Sequence, residues 1–265
     1  MSLFGPNEVA FVTGAASGIG RATALQFVTD GICQIVLLDI SEDGLKESAD
    51  LIDIRQNEAK VLTVTADVSV ADDVERAITE AVRAFGRIDY CVNSAGTGGL
   101  FGPITEQKEE TLGKTLNVNV KGIWLCERAQ IAQMLKQDLR PLNTGLPFET
   151  RGSIVNIGSI LGHIAMPTLG PYSISKHAVN GITKTDALDY AKEKIRINAV
   201  CPGFVKTNFV PPEMWASLDP VIAATPMQRL GSPEEIAFTA VFVASDRASY
   251  MTGSMVNVDR GYTAQ

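Results

Sequence analysis

The chain of 265 residues carries 30 acidic and 23 basic side chains, for a net charge of −7. This balance argues against a nucleic-acid or anionic-membrane partner, because both attract proteins through basic surfaces. A hydrophobic content of 45% is ordinary for a soluble domain, and no apolar run approaches the roughly eighteen residues of a membrane span. With no apolar leader and four scattered cysteines, we predict a single domain over residues 1–265 in the cytoplasm.

Short apolar runs alternate with longer segments whose apolar residues recur at spacings of three and four. This alternation predicts an α/β fold, a Rossmann-like, doubly wound parallel sheet of seven strands with helices on both faces. The predicted strands are Val9–Thr13, Gln34–Leu38, Val61–Thr65, Ile88–Asn93, Ser153–Ile157, Arg196–Val200 and Ser254–Val258. The predicted helices are Gly20–Thr29, Glu42–Arg55, Ala71–Phe85, Leu116–Leu135, Tyr172–Tyr190 and Pro233–Ala244.

Two stretches interrupt this alternation. Asp138–Arg151 contains two prolines, an asparagine and a glycine, which predicts an exposed excursion between a helix and a strand. Asn208–Arg229 is long and apolar, so it is either a small packed subdomain or a substrate lid. We favour the lid over about 208–229, because ligands of open α/β sheets bind beyond the carboxyl ends of the strands.

The first predicted strand runs directly into a glycine-rich turn, TGAASGIG, over Thr13–Gly20. Such glycines let backbone N–H groups approach a pyrophosphate at the positive end of the following helix. A glycine-rich turn alone is weak evidence, since many strand–helix turns contain glycine. Asp39 strengthens it, because this acid follows Gly20 by nineteen residues at the end of the second strand. There its carboxylate can accept hydrogen bonds from adenine-ribose hydroxyls.

Asp39 also discriminates between the two nicotinamide cofactors. A 2′-phosphate beside this carboxylate would meet a like charge, and at about 4 Å with an effective dielectric near 20 the repulsion is roughly 4 kcal/mol. No arginine or lysine occurs at Ala15–Ser17, Ile40 or Ser41 to offset it. We therefore predict NAD as the cofactor.

Several motifs in order resemble the short-chain dehydrogenase/reductase family over nearly the whole chain. They are the TGxxxGxG turn at Thr13–Gly20, Asp67-Val68, the NSAG of Asn93–Gly96, Asn119 in NVKG, Ser159 at a strand end, the YxxxK of Tyr172–Lys176, and Pro202-Gly203 with Thr207. Ser94 departs from the family's usual asparagine, which puts one turn-stabilising hydrogen bond in doubt. The excursion before the serine strand loosely resembles that of members from fungal natural-product pathways.

The resemblance implies a role for each matching residue. Tyr172 would be the acid/base, Ser159 would orient the substrate oxygen, Lys176 would hold the nicotinamide ribose, and Asn119 would position a water linking Lys176 to solvent. Family members are commonly tetramers or dimers, which implies a homotetramer or homodimer. The implied cofactor-binding set is Gly14, Ser17, Gly18, Ile19, Gly20, Asp39, Ile40, Asp67, Val68, Asn93, Ala95, Gly96, Tyr172, Lys176, Pro202, Gly203, Val205 and Thr207.

The spacing of Tyr172 and Lys176 places both side chains on one face of a helix. A phenol has a pKa near 10 and is a poor base at neutral pH. We expect Lys176 and the positive nicotinamide ring to lower the pKa of Tyr172 by about two to three pH units. This change corresponds to roughly 3–4 kcal/mol of stabilisation of the phenolate. One cation in contact can supply that energy at an intermediate dielectric. With Tyr172 as acid/base and NAD as hydride carrier, the resemblance implies a reaction that interconverts a secondary alcohol and a ketone.

Each candidate also has an ordinary structural interpretation. A tyrosine facing a lysine on a helix is usually packing, and Ser159 or Asn119 alone would be an unremarkable polar residue. Their occurrence together, in family order, favours catalysis. His163 follows Ser159 by four residues and is either a substrate contact or a solvated loop residue. Two separated histidines and no clustered carboxylates predict no metal site.

The predicted pocket walls are Thr97–Phe101, Ile160–Met166 and Asn208–Met227. These segments are largely apolar and contain no arginine or lysine. We therefore expect a hydrophobic secondary alcohol, such as a polycyclic terpenoid, a steroid-like molecule or a polyketide-derived one. Two alternatives remain open, an NADPH-dependent ketone reductase on the same fold and a non-catalytic nucleotide-binding protein.

Overall fold

The computed structural model describes residues 3–55, 59–99, 101–209, 219–223 and 225–264. Seven parallel strands form its main sheet, and two short strands form a separate antiparallel hairpin. The main strands are β1 Val9–Thr13, β2 Gln34–Asp39, β3 Lys60–Thr65, β4 Tyr90–Asn93, β7 Gly152–Ile157, β8 Ile195–Pro202 and β9 Met255–Val258, and the hairpin is β5 Arg140–Pro141 with β6 Glu149–Thr150.

The strand order in the main sheet is β3-β2-β1-β4-β7-β8-β9, so the chain reverses its direction of travel between β1 and β4. In open α/β sheets a ligand binds at such a reversal, beyond the carboxyl ends of the strands. The predicted seven-stranded, doubly wound sheet is confirmed, and the strand bounds differ from the prediction by two residues or fewer at each end.

Helices cover both faces of the sheet, because successive strand residues point to opposite sides. On one face Ala10 and Val12 share a core with the helices Gly18–Thr29 and Pro233–Ala244, and on the other Val9 and Phe11 share a core with the helices Ala71–Phe85 and Ile123–Met134. No helix among the described residues is long and apolar enough to cross a membrane. The helices are α1 Gly18–Thr29, α2 Glu42–Arg55, α3 Ala71–Phe85, α4 Glu109–Leu116, α5 Ile123–Met134, α6 Gly170–Tyr190, α7 Asp219–Ala223 and α8 Pro233–Ala244.

The helix predicted over Leu116–Leu135 is longer and interrupted. It starts at Glu109, widens into a π-helical turn over Asn117–Gly122, and continues as α5. The wide turn coincides with buried Asn119, whose side chain bonds to the Thr97 backbone. Such insertions occur mostly at functional sites, and the 3.6-residue periodicity of the sequence does not reveal them.

The Asp138–Arg151 excursion is largely exposed, as predicted, but it is anchored at a few points. Its two short strands pair as a hairpin, and the tip residue Phe148 is exposed. Leu142 and Thr150 are buried, and the Arg140 side chain enters a cluster of acidic residues at the amino ends of the main strands. The hairpin is therefore fixed at the amino ends of the main strands, opposite the predicted nucleotide site at their carboxyl ends.

Lys194 ends the turn after α6 with a left-handed backbone, φ 63°, and its side chain is exposed. A Cβ in this conformation is strained, whereas glycine adopts it freely. We expect Lys194→Gly to raise the free energy of unfolding by about 0.5–1 kcal/mol, measured by urea denaturation. Lys192→Gly removes the same charge from the same turn at an ordinary φ and should instead destabilise. Equal effects of the two variants would contradict the role of backbone strain.

Candidate active site

The glycine turn after β1 has a shape that only glycine permits. Gly14 has φ 68°, and a Cβ there would lie 2.7 Å from the Ala95 backbone nitrogen. A Cβ on Gly20 would overlap the Gly14 carbonyl oxygen, while Ile19 packs against the core. Ser17 precedes α1 in an extended conformation, and its side chain makes no capping hydrogen bond. The N–H groups of the first helical turn are thus not capped by Ser17, which suits a pyrophosphate.

Asp39 lies at the end of β2, beside this glycine turn. Its Oδ2 accepts a hydrogen bond from the Ala16 N–H at 3.1 Å, and its Oδ1 accepts one from the Ser41 N–H at 3.1 Å. Ile40 is exposed by 71%. The backbone therefore holds the carboxylate at the rim of the turn, where the predicted adenine ribose would lie.

The end of β4 is joined to the end of β1 by one hydroxyl. Thr13 Oγ1 accepts hydrogen bonds from the Ser94 and Ala95 N–H groups at 3.1 and 3.2 Å. The Asn93 amide points into the core, donating to Gln130 Oε1 and Asn156 Oδ1, both at 3.1 Å. A cofactor contact at position 93 would consequently involve its backbone.

Of the remaining predicted cofactor residues after β3 and β4, Val68 and Gly96 lie against the π-helical turn. Val68 is buried, and a Cβ on Gly122 would lie 2.8 Å from its Cγ2. Asp67 Oδ1 accepts from the Ser69 N–H and hydroxyl, both at 2.8 Å. A Cβ on Gly96 would lie 3.4 Å from Asn119 Oδ1. These contacts and hydrogen bonds define the β3 side of the predicted adenine site.

The segment after β8 returns to the glycine turn. A Cβ on Gly203, which follows Pro202, would lie 2.9 Å from the Asp259 Cα. Val205 forms an isolated bridge with Gly231. The Thr207 side chain lies beside Gly18, 3.5 Å from where a Cβ would stand. The structure thus brings Thr207 and the glycine turn together, as the family pattern implies.

Three predicted catalytic side chains meet at the end of β7. The Ser159 hydroxyl is close enough to the Tyr172 phenol to act on its pKa, and Ser159 Oγ accepts from the Leu161 N–H at 3.1 Å. Lys176 is buried, and its Nζ donates to the Ile157 carbonyl oxygen at 2.8 Å. The same Nζ lies 5.6 Å from the centroid of the Tyr172 ring. A phenol, a hydroxyl and an ammonium group are therefore close enough to act on one oxygen atom.

Asn119, the fourth predicted residue, supports this group from the π-helical turn. Its Oδ1 accepts from the Thr97 N–H and its Nδ2 donates to the Thr97 carbonyl, both at 2.8 Å. The Nδ2 also donates to Ser175 Oγ at 3.0 Å, and that hydroxyl donates to the Tyr172 carbonyl at 2.7 Å. Ser175 is fully buried. The sequence analysis missed it, since a serine within YSISK carries no signal of its own.

The ionisation of Tyr172 differs from the expectation. Burial raises the pKa of Tyr172 to about 12, although the hydrogen bond from Ser159 works in the opposite direction. Burial also lowers the pKa of Lys176 to about 8. In the chain alone, Lys176 therefore does not bring the phenol below its usual pKa. A further positive charge, such as that of a nicotinamide ring, is needed to favour the phenolate.

The predicted pocket walls are described only in part. Phe209 contacts the Tyr172 ring, with centroids 5.7 Å apart. Phe101 is exposed by 51%, and His163 is exposed at the end of a short 3₁₀ turn. The contact of His163 with substrate stays a prediction. Leu100, residues 210–218 and Ala224, which include Met214 and Trp215 of the predicted walls and part of the predicted lid, lie outside the described residues. The described part of the chain contains no cluster of metal-ligating side chains.

The doubly wound sheet, the glycine turn and the pairing of half-buried Tyr172 with buried Lys176 define a class, the Rossmann-fold oxidoreductases. A family model described as "Enoyl-(Acyl carrier protein) reductase" matches residues 14–263. A short-chain dehydrogenase of Penicillium roqueforti is 39% identical over 272 residues, covering 98% of this chain and 97% of the relative. The chain belongs to the short-chain dehydrogenase/reductase family, whose enzymes use a nicotinamide cofactor. The predicted family, including its likeness to fungal members, is confirmed.

Solved structures agree with this assignment. The crystal structure of levodione reductase superimposes with a TM-score of 0.88 at 31% identity, covering 98% of each chain. A structure of ElxO with NADP bound superimposes with a TM-score of 0.85 at 30% identity, covering 98% of this chain and all of the other. These similarities leave open which of the two nicotinamide cofactors this chain prefers.

Proposed function

We propose that this enzyme is an NAD-dependent dehydrogenase that interconverts hydrophobic secondary alcohols and ketones, with Tyr172 as acid/base. The observation that carries the proposal is the grouping of Tyr172, Ser159 and Lys176 at the end of β7, where Lys176 Nζ lies 5.6 Å from the centroid of the Tyr172 ring and the Ser159 hydroxyl acts on the pKa of the phenol. A carbinol or carbonyl oxygen accommodated between these two hydroxyls would be polarised and supplied with a proton at one point. A non-catalytic nucleotide-binding protein would not need these three side chains together.

The residues divide the chemical work as follows. When bound, the nicotinamide supplies or accepts the hydride. In oxidation Tyr172 accepts the hydroxyl proton of the alcohol, and in reduction it donates a proton to the developing alkoxide. Ser159 holds the substrate oxygen against Tyr172. The Lys176 ammonium donates to the Ile157 carbonyl oxygen and favours the phenolate. Asn119 holds the π-helical turn beside the helix of Tyr172 and Lys176 through its hydrogen bond to Ser175.

The proposal is tested by mixing the protein with NAD or NADP and a panel of bulky secondary alcohols, and following the absorbance of the reduced nicotinamide. We expect NADH formation with apolar alcohols and none with small hydroxy acids, because the described pocket walls contain no arginine or lysine. Turnover of charged hydroxy acids alone would overturn the substrate class. Failure of both nucleotides to bind would overturn the function.

Asp39 supports NAD, although ElxO was solved with NADP. We expect Asp39→Asn to lower the preference for NAD over NADP in kcat/KM by at least about tenfold, because it removes the like charge that repels a 2′-phosphate. Asparagine keeps the acceptor oxygen for the Ala16 N–H, so the turn should persist. Asp43→Asn, an exposed acid in the first turn of α2, is the matched control. A wild-type preference for NADP would favour the alternative, an NADPH-dependent ketone reductase.

Assembly and location belong to the same proposal. An apolar groove lined by Leu116, Val120, Trp124 and Ile182 lies on the outside of α5 and α6, and Trp124 is exposed by 47%. This groove supports a homotetramer or homodimer through these helices, which sedimentation velocity can distinguish from a monomer. We propose that the assembly acts in the cytoplasm on a small hydrophobic substrate.

A further inference from the structure

Phe209 occupies a position beside the proposed acid/base that core packing does not explain. Its ring is tilted by 60° against the Tyr172 ring, with the centroids 5.7 Å apart. The side chain is nevertheless exposed by 47% and belongs to neither hydrophobic core. A large aromatic side chain held half in solvent beside a reactive phenol has an open surface available to a ligand.

Gly98 provides the space that this ring occupies. A Cβ on Gly98 would lie 3.0 Å from Phe209 Cε1 and 3.2 Å from Cζ. Such distances are closer than carbon atoms ordinarily approach, so any larger residue at position 98 would displace the ring. Phe209 therefore lies between the backbone of one predicted pocket wall and the Tyr172 ring.

The position of Phe209 is also tied to the cofactor end of the site. Its N–H donates to Thr207 Oγ1 at 3.3 Å, and the Thr207 side chain lies beside Gly18 of the glycine turn. Val205, two residues before Thr207, is bridged to Gly231, and the Lys206 N–H donates to the Gly231 carbonyl at 2.9 Å. The backbone leading to the ring is thus anchored from β8 onward.

We propose that Phe209, with Gly98 behind it, determines specificity by packing against a flat, unsaturated ring next to the reacting carbon of the substrate. This inference rests on the proposed function and narrows its substrate class to aryl or enone-type secondary alcohols and ketones. An aromatic pair gains stabilisation beyond the burial of equal apolar area. A saturated chain of the same carbon count gains only the burial. Wild-type enzyme should therefore discriminate between the two by roughly tenfold through this ring.

Three secondary alcohols of equal carbon count separate ring planarity from size: methyl phenyl carbinol, methyl cyclohexyl carbinol and methyl hexyl carbinol. Phe209→Leu keeps an apolar side chain and removes the aromatic ring. We expect it to lower the phenyl-to-hexyl ratio of kcat/KM by about tenfold, with the cyclohexyl-to-hexyl ratio nearly unchanged. Phe148→Leu, at the exposed tip of the β5–β6 hairpin, is the matched control and should alter neither ratio.

A double-mutant cycle tests the part played by Gly98. Gly98→Ala should lower kcat/KM for the phenyl substrate several-fold in wild type, because the methyl group displaces the Phe209 ring. It should have little effect in the Phe209→Leu background, where that ring is absent. Equal effects of Gly98→Ala in both backgrounds, or an unchanged phenyl-to-hexyl ratio in Phe209→Leu, would overturn the inference while leaving the proposed function intact. No turnover of any secondary alcohol by wild type would overturn both.

Discussion

Tyr172→Phe should lower kcat for alcohol oxidation by about three orders of magnitude, within the roughly 10²–10⁴-fold range of general acid–base catalysis. The substitution removes only the phenolic hydroxyl beside Ser159 and leaves the ring that contacts Phe209 and Lys176. NAD affinity should change by no more than a few-fold, since the glycine turn and Asp39 are untouched. Steady-state kinetics and a nucleotide titration measure the two quantities separately.

Tyr190→Phe is the matched control for this variant. Tyr190 ends the same helix, about 27 Å from Tyr172 at 1.5 Å per residue. Its replacement should leave kcat within about twofold, because a residue outside the site contributes no acid–base catalysis. A Tyr172→Phe enzyme with nearly normal kcat would show that another group moves the proton, and the assignment of Tyr172 would then be wrong.

The pH dependence of kcat/KM is an independent test of Tyr172 as the base. Burial holds the pKa of Tyr172 at about 12 in the chain alone, and it lowers the pKa of Lys176 to about 8. Oxidation needs the phenolate, so kcat/KM should rise with pH. The positive charge of bound NAD should bring the apparent pKa well below 12. Tyr172→Phe should lose this rise, and a wild-type profile independent of pH would contradict the proposed base.

The sheet and much of the site could be predicted because their signals are local. A buried parallel strand is a continuous apolar run, and a helix that covers it repeats every 3.6 residues, so both can be identified within a short window. The glycine turn follows the same logic, since Gly14 needs a positive φ and Gly20 needs the absence of a Cβ. The roles of Ser159 and Tyr172 came from family order, and the structure places their side chains together.

The features that escaped prediction depend on contacts between distant parts of the chain. Arg140 lies in a segment rich in proline and glycine, which is typical of an exposed loop, yet its partners include Glu8 and Asp246. Ser175 matters only because Asn119 lies opposite it. The elevated pKa of Tyr172 results from burial, which spacing along a helix does not report. A single sequence holds no signal for such pairings.

Arg140→Met is expected to lower the free energy of unfolding by about 3–5 kcal/mol. The guanidinium lies 3.0 Å from Glu8, 2.7 Å from Asp246 and 3.4 Å from Asp89, and the side chain is 11% exposed. It also lies 5.1 Å from the centroid of the Tyr90 ring and donates to its hydroxyl. Asp89 keeps a second partner in Arg87 at 2.8 Å. Glu8 and Asp246 would lose their ion pair while staying buried, and such charges are costly when uncompensated.

Arg128→Met provides the comparison for an exposed pair. Arg128 lies 2.8 Å from Glu75, with the two side chains exposed by 47% and 60%. Because solvent screens such a pair, its loss should cost less than about 1 kcal/mol. Urea denaturation at matched m-values measures both variants. If Arg140→Met loses no more stability than Arg128→Met, the acidic cluster is not desolvated as the structure indicates.

Replacing Glu8 and Asp246 by neutral residues in the Arg140→Met variant distinguishes the loss of charge compensation from the loss of packing. Breaking a buried ion pair costs more than replacing the whole cluster with neutral groups, because the penalty comes from the charge left behind. Glu8→Gln and Asp246→Asn, combined with Arg140→Met, should therefore be more stable at neutral pH than Arg140→Met alone. A triple variant no more stable than the single one would show that Arg140 anchors the hairpin by packing alone.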